Sequence, residues 1–216
     1  GNNMEITWVQ LWIIFSLKFS INKNKIYSIT SKSNILINLY LKIINSELYF
    51  IEEIEKINYI NDEFLNKITK LKNFEEIKTF EYENIPYGKM ALSTYCRHRT
   101  TGIVNLNENK DLDTIINYLK YIRKSKSWTD SIIENKKDPT FFMTELFMEE
   151  YGGIYYSALS KNINIVQFAG TIRDDCFIAR HLTQENDREH FSSMSKKTKL
   201  YLDDKKTNKI IYKELE

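Results

Sequence analysis

The run Tyr95–Arg99 reads Tyr-Cys-Arg-His-Arg and holds the densest group of side chains that could do chemistry. Arg97 and Arg99 could clamp a phosphate or a carboxylate, because guanidinium binds such groups through paired hydrogen bonds. The run also stands at the end of a predicted helix, where cations are favoured electrically. An anion site and a purely structural role both remain open.

Glu145 is the candidate catalytic residue. It follows the predicted strand Thr140–Thr144, and active sites in open α/β sheets lie beyond the carboxyl ends of strands. A carboxylate placed there can act as a general base when its pKa suits the reaction. The alternative is a helix-capping or solvated carboxylate.

Gly152 and Gly153 form a pair in a chain that has only six glycines. Glycine inside a helix costs about 1 kcal/mol relative to alanine, so the pair needs a reason. The reason is either close approach of a ligand at a helix start or tight helix–sheet packing. There is no Gly-x-Gly-x-x-Gly or Walker sequence, and Glu149 and Glu150 would repel a phosphate, so no dinucleotide cofactor is expected.

A metal site is not expected. The residues that could surround an ion are His98, His181, His190, Asp174, Asp175 and Glu189. The nine-residue spacing of His181 and His190 matches no standard ligand motif. Cys96 and Cys176 lack a nucleophile signature and are predicted to be small buried residues. Two cysteines also exclude a disulfide scaffold and fit a reducing compartment.

Composition narrows the class of protein. The 31 basic and 29 acidic side chains give a formal charge of +2, so the broad basic surface of a nucleic-acid binder is missing. A nucleic-acid enzyme that uses the basic tail would also lack base-stacking motifs, and no nucleic-acid partner is expected. Hydrophobic residues make up 42% of the chain, which is enough for a packed core.

The apolar segment Trp8–Phe19 is too short to span a membrane, which takes about 20 apolar residues. Glu5 and the lack of an Ala-x-Ala pattern argue against a signal peptide. A buried terminal helix or strand is predicted, with an interfacial membrane anchor as the alternative. The expected location is therefore the cytoplasm, with peripheral attachment to the inner face of the membrane under that alternative.

Short β-rich runs alternate with helical stripes along the chain, which predicts a helix-rich α/β domain. The strands expected in one mainly parallel sheet, with helices on both faces, are Lys25–Thr30, Leu48–Ile51, Thr140–Thr144 and Ile163–Phe168. The helix from Ile35 to Ile44 is apolar nearly all round and should be buried between layers. Residues 1–195 are assigned to one domain, and residues 196–216 to a basic linker or tail.

Two runs carry a family resemblance. Glu83–Arg97 (ENIPYGKMALSTYCR) resembles a segment of bacterial surface-carbohydrate (capsule and lipopolysaccharide) biosynthesis proteins, in which a short strand leads into Gly-Ile-Pro-Ile-Gly and a helix. Glu145–Leu159 resembles their second signature, although Glu145 stands about where that family tends to have a histidine. These proteins are similar to GT-B glycosyltransferases, which have two Rossmann-like domains. The resemblance implies a Rossmann-like three-layer sandwich that serves as the N-terminal, acceptor-side domain, with a C-terminal donor domain missing from these residues.

The resemblance implies transfer of a sugar from a nucleotide-sugar to a glycan acceptor, without a metal or other cofactor. Glu145 would deprotonate the acceptor hydroxyl, while Arg97 and Arg99 would orient an anionic group. The other expected substrate-binding residues are Gly88, Tyr151, Gly152 and Gly153. Glu145, Tyr151, Gly152 and the two arginines should border one crevice. The alternative is a non-catalytic α/β binding or interaction domain with an aromatic, Asn-rich surface.

Overall fold

A computed structural model describes residues 27–43, 45–58, 60–100, 104, 109–134, 136, 139–143, 145–170 and 177–184. Several sequence predictions fall outside these ranges: those for Trp8–Phe19, Lys25, Ile44, Thr144, Asp174, Asp175, Cys176, Glu189, His190 and residues 196–216. The chain divides into two compact units. The first unit comprises residues 1–135 and 147–157, and the second comprises residues 136–146 and 158–216.

The helices and strands follow in chain order: β1 (Tyr27–Thr30), α1 (Ile35–Ile43), β2 (Glu47–Phe50), a 3₁₀ helix (Ile51–Lys56), α2 (Asp62–Ile68), α3 (Phe74–Thr79), α4 (Tyr87–Arg99), α5 (Asn109–Ile133), β3 (Thr140–Met143), α6 (Glu149–Ser160), β4 (Asn164–Gly170) and β5 (Phe177–Leu182). None of these helices is long and apolar enough to cross a membrane.

The predicted strand–helix–strand unit at the start of the described chain is confirmed. β1 and β2 are parallel, with Tyr27 opposite Glu47 and Thr30 opposite Phe50. A helix joins them because parallel neighbours need a crossover connection. The carboxyl ends of both strands therefore lie at the same edge of this small sheet.

The prediction that the helix after β1 is buried between layers is wrong. α1 buries Asn38 and Leu41, while most of its aliphatic side chains are exposed. The polar side faces inward because Asn38 is tied to the end of β1. Its Oδ1 accepts a hydrogen bond of 3.0 Å from the Thr30 hydroxyl, and its Nδ2 donates to the Ser31 carbonyl at 2.9 Å.

The helical core of the first unit forms around Phe64 of α2. Its ring meets the rings of Phe80, Tyr82 and Tyr87 edge-on, at centroid distances of 5.8, 5.3 and 5.0 Å. The apolar pattern on α5 predicts a stripe of Ile115, Ile116, Leu119 and Ile122; all of these but Ile116, which is half-buried, are fully buried. Apolar periodicity thus identified the helix faces that pack together.

A tight turn leads into α4. Glu83 and Asn84 have φ values of 53° and 61°, and Tyr82 and Ile85 exchange backbone hydrogen bonds of 3.1 and 3.0 Å across them. Positive φ at both central positions is what a type I′ turn requires. Arg123 of α5 holds this turn, because its guanidinium binds both carboxylate oxygens of Glu83 at 2.7 and 3.0 Å.

The second unit contains a mixed sheet. β3 and β4 are parallel, and β5 pairs with β4 in the antiparallel direction. The prediction of one sheet needs correction, because the described strands form a two-stranded sheet, β1–β2, and a three-stranded sheet, β3–β4–β5. The residues between β2 and β3 pack as helices on one another around Phe64. The chain is therefore a helix-rich α/β protein with small parallel and mixed sheets.

Candidate functional site

Arg97 and Arg99 project from different sides of α4, and their role as an anion clamp stays a prediction. Both are exposed in the last turn of α4, and side chains two positions apart in a helix project about 200° apart. Arg99 donates to Asp111 Oδ1 at 3.1 Å, and its guanidinium lies 5.8 Å from the centre of the Tyr95 ring. The structural alternative, cations at a helix C-terminus, accounts for this pair.

Gly152 and Gly153 allow α6 to pack closely on its neighbours. An alanine Cβ at Gly153 would lie 2.5 Å from the Ile122 carbonyl oxygen and 2.6 Å from the Lys126 backbone nitrogen. At Gly152 the nearest atom would be Met90 Sδ, at 2.6 Å. Helix–helix packing, rather than the helix–sheet packing expected, accounts for both glycines without a ligand.

Gly88 is enclosed in the same way. An alanine Cβ there would lie 1.6 Å from the carbonyl oxygen of Ile77, and the Gly88 N–H donates to the Phe80 carbonyl at 3.0 Å. The start of α4 therefore rests directly on the end of α3. This close packing explains why a glycine stands at position 88, within the run Glu83–Arg97.

Glu145 lies two residues beyond β3, as the sequence predicts. It is half-buried, and its Oε1 accepts a hydrogen bond of 2.9 Å from the backbone N–H of Leu146. Leu146 precedes the helix that starts at Glu149, so this local contact caps no helix. Glu145 belongs to the second unit, whereas Tyr151, Gly152 and the arginines belong to the first. Their grouping in one crevice stays a prediction.

The first unit brings together a histidine–carboxylate pair that the sequence did not reveal. Nε2 of His98, in the last turn of α4, is paired with Oε1 of Glu149 at the start of α6. The His98 ring stacks on Tyr118 with centroids 5.8 Å apart and planes 12° apart. Side-chain exposure is 48% for His98 and 32% for Glu149, so a ligand can reach the pair from solvent.

The backbone holds Glu149 in an unusual conformation. Its φ is 45°, in the left-handed region that non-glycine residues seldom adopt. Its N–H donates a hydrogen bond of 3.0 Å to the Thr94 hydroxyl of α4. Fixed in this way, the carboxylate can orient the imidazole, the arrangement of a general-base pair.

Glu150, the next residue in the chain after Glu149, is a buried acid. The residue is only 4% exposed. Burial raises the pKa of its carboxyl to about 7, and the negative charges of Glu149 and Glu52 add to the effect. Its charge therefore changes near neutral pH, where a carboxylate can serve proton transfer.

Glu52 lies two residues past β2, in the 3₁₀ helix. Its Oε1 accepts hydrogen bonds from the Ser31 hydroxyl at 2.6 Å and the Lys32 N–H at 2.9 Å, both just beyond β1. These hydrogen bonds, that of Ser31 foremost, lower the pKa of Glu52. We call His98, Glu149, Glu150 and Glu52 the carboxyl-edge cluster, because the charge of Glu52 acts on Glu150 and Glu52 stands past the carboxyl end of a parallel strand, where α/β sites form.

Tyr121 of α5 lies among the same charges. Burial raises the pKa of its hydroxyl well above the ordinary value, and the carboxylates of Glu150 and Glu149 add to the shift.

The residues of the cluster were visible separately in the sequence, as a histidine at the end of one predicted helix and a pair of acids at the start of another. Their contact joins positions 51 residues apart, and no local pattern predicts such a pairing.

Two further features were considered as binding sites. Within the described ranges, no group of three or more His, Cys, Asp or Glu residues could hold a metal ion. An open hollow of about 530 Å³ lies along α3 and α4, lined by Phe74, Lys78, Lys89, Leu92, Ser93, Cys96 and Val104. The hollow contains the half-buried Cys96, predicted to be buried, but no member of the carboxyl-edge cluster.

Comparison with family models, curated proteins and solved structures finds no match to this chain.

Proposed function

We propose that the chain is the Rossmann-like, acceptor-side domain of a glycosyltransferase of cell-surface polysaccharide biosynthesis. It would act in transferring a sugar from a nucleotide-sugar to a glycan acceptor. The resemblance in Glu83–Arg97 and Glu145–Leu159 supports this class of protein. The observation that carries the proposal is the solvent-accessible His98–Glu149 pair, which the Thr94 hydroxyl and the left-handed backbone of Glu149 hold in place.

In this mechanism His98 is the general base in place of Glu145. Its Nε2 is engaged by Glu149, so Nδ1 accepts the proton as the O–H bond of the acceptor breaks. The acceptor oxygen forms a bond to the anomeric carbon, and the bond from that carbon to the phosphate oxygen breaks. The nucleotide leaves with the electron pair of that bond. Glu149 stabilises the imidazolium, and a base held in this way contributes about 10²–10⁴-fold to the rate.

The test is made in the source organism, with substitutions in the chromosomal gene. His98→Gln should lower surface polysaccharide by about tenfold or more, because the variant lacks the base. The matched control is His181→Gln, which replaces an exposed histidine of β5. This variant should leave the amount of surface polysaccharide unchanged. Immunoblotting verifies equal protein levels. Normal polysaccharide in His98→Gln at a normal protein level contradicts the role of His98.

Glu145→Gln separates the two candidate bases. If Glu145→Gln removes the polysaccharide and His98→Gln does not, the base is Glu145, as the sequence predicts. If deletion of the gene removes it but neither substitution does, the chain is a non-catalytic interaction domain.

A further inference from the structure

α1 carries an apolar face that no described element covers. The exposed fractions are 68% for Ile35, 82% for Leu36, 53% for Leu39 and 82% for Ile43. At about 100° per residue these four positions fall within one arc of the helix about 100° wide, a single contiguous stripe. We call this stripe the α1 outer face. Contiguous exposed apolar surface marks a site of interaction.

The stripe is a separate surface from the core of the first unit. The opposite side of α1 is the buried one, where Leu41 is 4% exposed and Asn38 bonds to the end of β1. α1 packs on β2 by that side. A protein rarely leaves four large aliphatic side chains together in water, so the α1 outer face needs an occupant.

We propose that the apolar segment Trp8–Phe19 of the same chain binds the α1 outer face. All but three residues of this segment are large and apolar, and the exceptions are Gln10, Ser16 and Lys18. The segment and the exposed face of α1 are both apolar, so their chemistry matches. This inference is independent of the proposed glycosyl transfer.

The chain is long enough to make this contact. Eight residue steps separate Phe19 from Tyr27, the first residue of β1, and they reach up to about 27 Å when extended. The nine residues of α1 extend about 13 Å. α1 returns antiparallel to β1, as a crossover between parallel strands requires, so Ile43 lies toward the end where the chain enters β1.

Tethering favours this segment over other occupants. A short linker gives an effective concentration in the millimolar range, well above that of a second copy in dilute solution. A helix that binds an anionic bilayer is rich in lysine and arginine on its polar side. α1 has one such residue, Lys42, so a membrane fits this surface less well.

Photo-cross-linking in the full chain tests the contact. Benzoylphenylalanine replaces Leu36 in one variant and Phe74, an exposed aromatic residue of α3, in the matched control. After irradiation, peptide mapping should place the Leu36 adducts within residues 8–19 of the same molecule, and the Phe74 adducts elsewhere. Adducts between two chains, or with added anionic lipid vesicles, would overturn the proposal.

Hydrogen exchange gives a second, independent readout. The amides of residues 8–19 should exchange more slowly in the parent chain than in the double variant Leu36→Ser/Leu39→Ser. Both substituted side chains are exposed, so the remainder of the first unit should keep its exchange pattern. Phe74→Ser is the control and should leave the segment protected. Equal exchange in the parent and the double variant would show that the segment does not bind there.

Discussion

Glu150 combines near-complete burial with a titration close to neutral pH. Burial raises the pKa of its carboxyl from 4.5 to about 7 in the folded chain. At a pH between these two values, the Glu150 carboxyl is protonated in the folded chain and ionised in the unfolded chain. The stabilisation from this group is therefore complete below about pH 4.5 and is lost as the pH rises through about 7. The change amounts to at most about 3 kcal/mol.

We predict that Glu150→Gln removes this pH dependence, because glutamine is of similar size and does not titrate. Urea unfolding from about pH 5 to about pH 8 should show the parent losing stability and the variant changing less. The control is Glu63→Gln: Lys67 lowers the pKa of Glu63 below 4.5, so this carboxylate stays ionised over the measured range and its removal should leave the pH dependence of the parent unchanged. If the free energy of unfolding of Glu150→Gln changes with pH as steeply as that of the parent, Glu150 is not the source of the pH dependence.

The residue-level predictions from sequence succeeded where chemistry follows from local position. Glu145 does lie just past β3, and the cations Arg97 and Arg99 do end a helix. The sequence could not predict that His98 meets Glu149, because their contact depends on how α4 packs against α6. Long-range packing of this kind is set by the fold as a whole rather than by spacing.

At the scale of elements, the contact of α6 with α5 depends on the missing side chain of Gly153. An added methyl group would meet backbone atoms of Ile122 and Lys126, which cannot rotate away. At Gly152 the neighbour is the terminal part of the Met90 side chain, which can change rotamer. Two adjacent glycines in one helix should thus respond differently to the same substitution.

We predict that Gly153→Ala destabilises the chain by roughly 1–3 kcal/mol, the usual cost of overpacking. Gly152→Ala should be close to neutral, since alanine regains about 1 kcal/mol of helix propensity. Urea unfolding of both variants at one pH measures the difference. Equal losses in the two variants would mean that the clash at Gly153 relaxes as easily as the one at Gly152.

Elements with regular periodicity were predicted well. The pattern of Phe64, Leu65, Ile68 and Leu71 predicts a buried stripe; Phe64 and Ile68 are fully buried, and Leu65 and Leu71 are half-buried. α1 differs because hydrophobicity alone does not show that Asn38 bonds to the end of β1 and faces inward. β5 was missed because the sequence around it is polar, although it pairs with the strand that precedes it.

At the scale of the whole molecule, the described strands belong to two sheets in two compact units. The strand-and-helix alternation predicted an α/β chain, and that coarse class is confirmed. The prediction of one common sheet failed because the helices between β2 and β3 bury their apolar stripes on each other. Periodicity shows which face of a helix is buried, but it does not show which surface covers it.

The last prediction concerns sugar transfer by the chain alone. The resemblance implies an enzyme that holds donor and acceptor between two Rossmann-like domains, and it assigns these residues to the acceptor side. Correct positioning of two reactants contributes about 7–11 kcal/mol. We therefore expect the 216-residue chain to bind UDP-, GDP- and CMP-sugars only weakly in calorimetry and to show no detectable transfer. Robust turnover would instead favour a compact single-domain transferase, with His98→Gln then the variant that should abolish it.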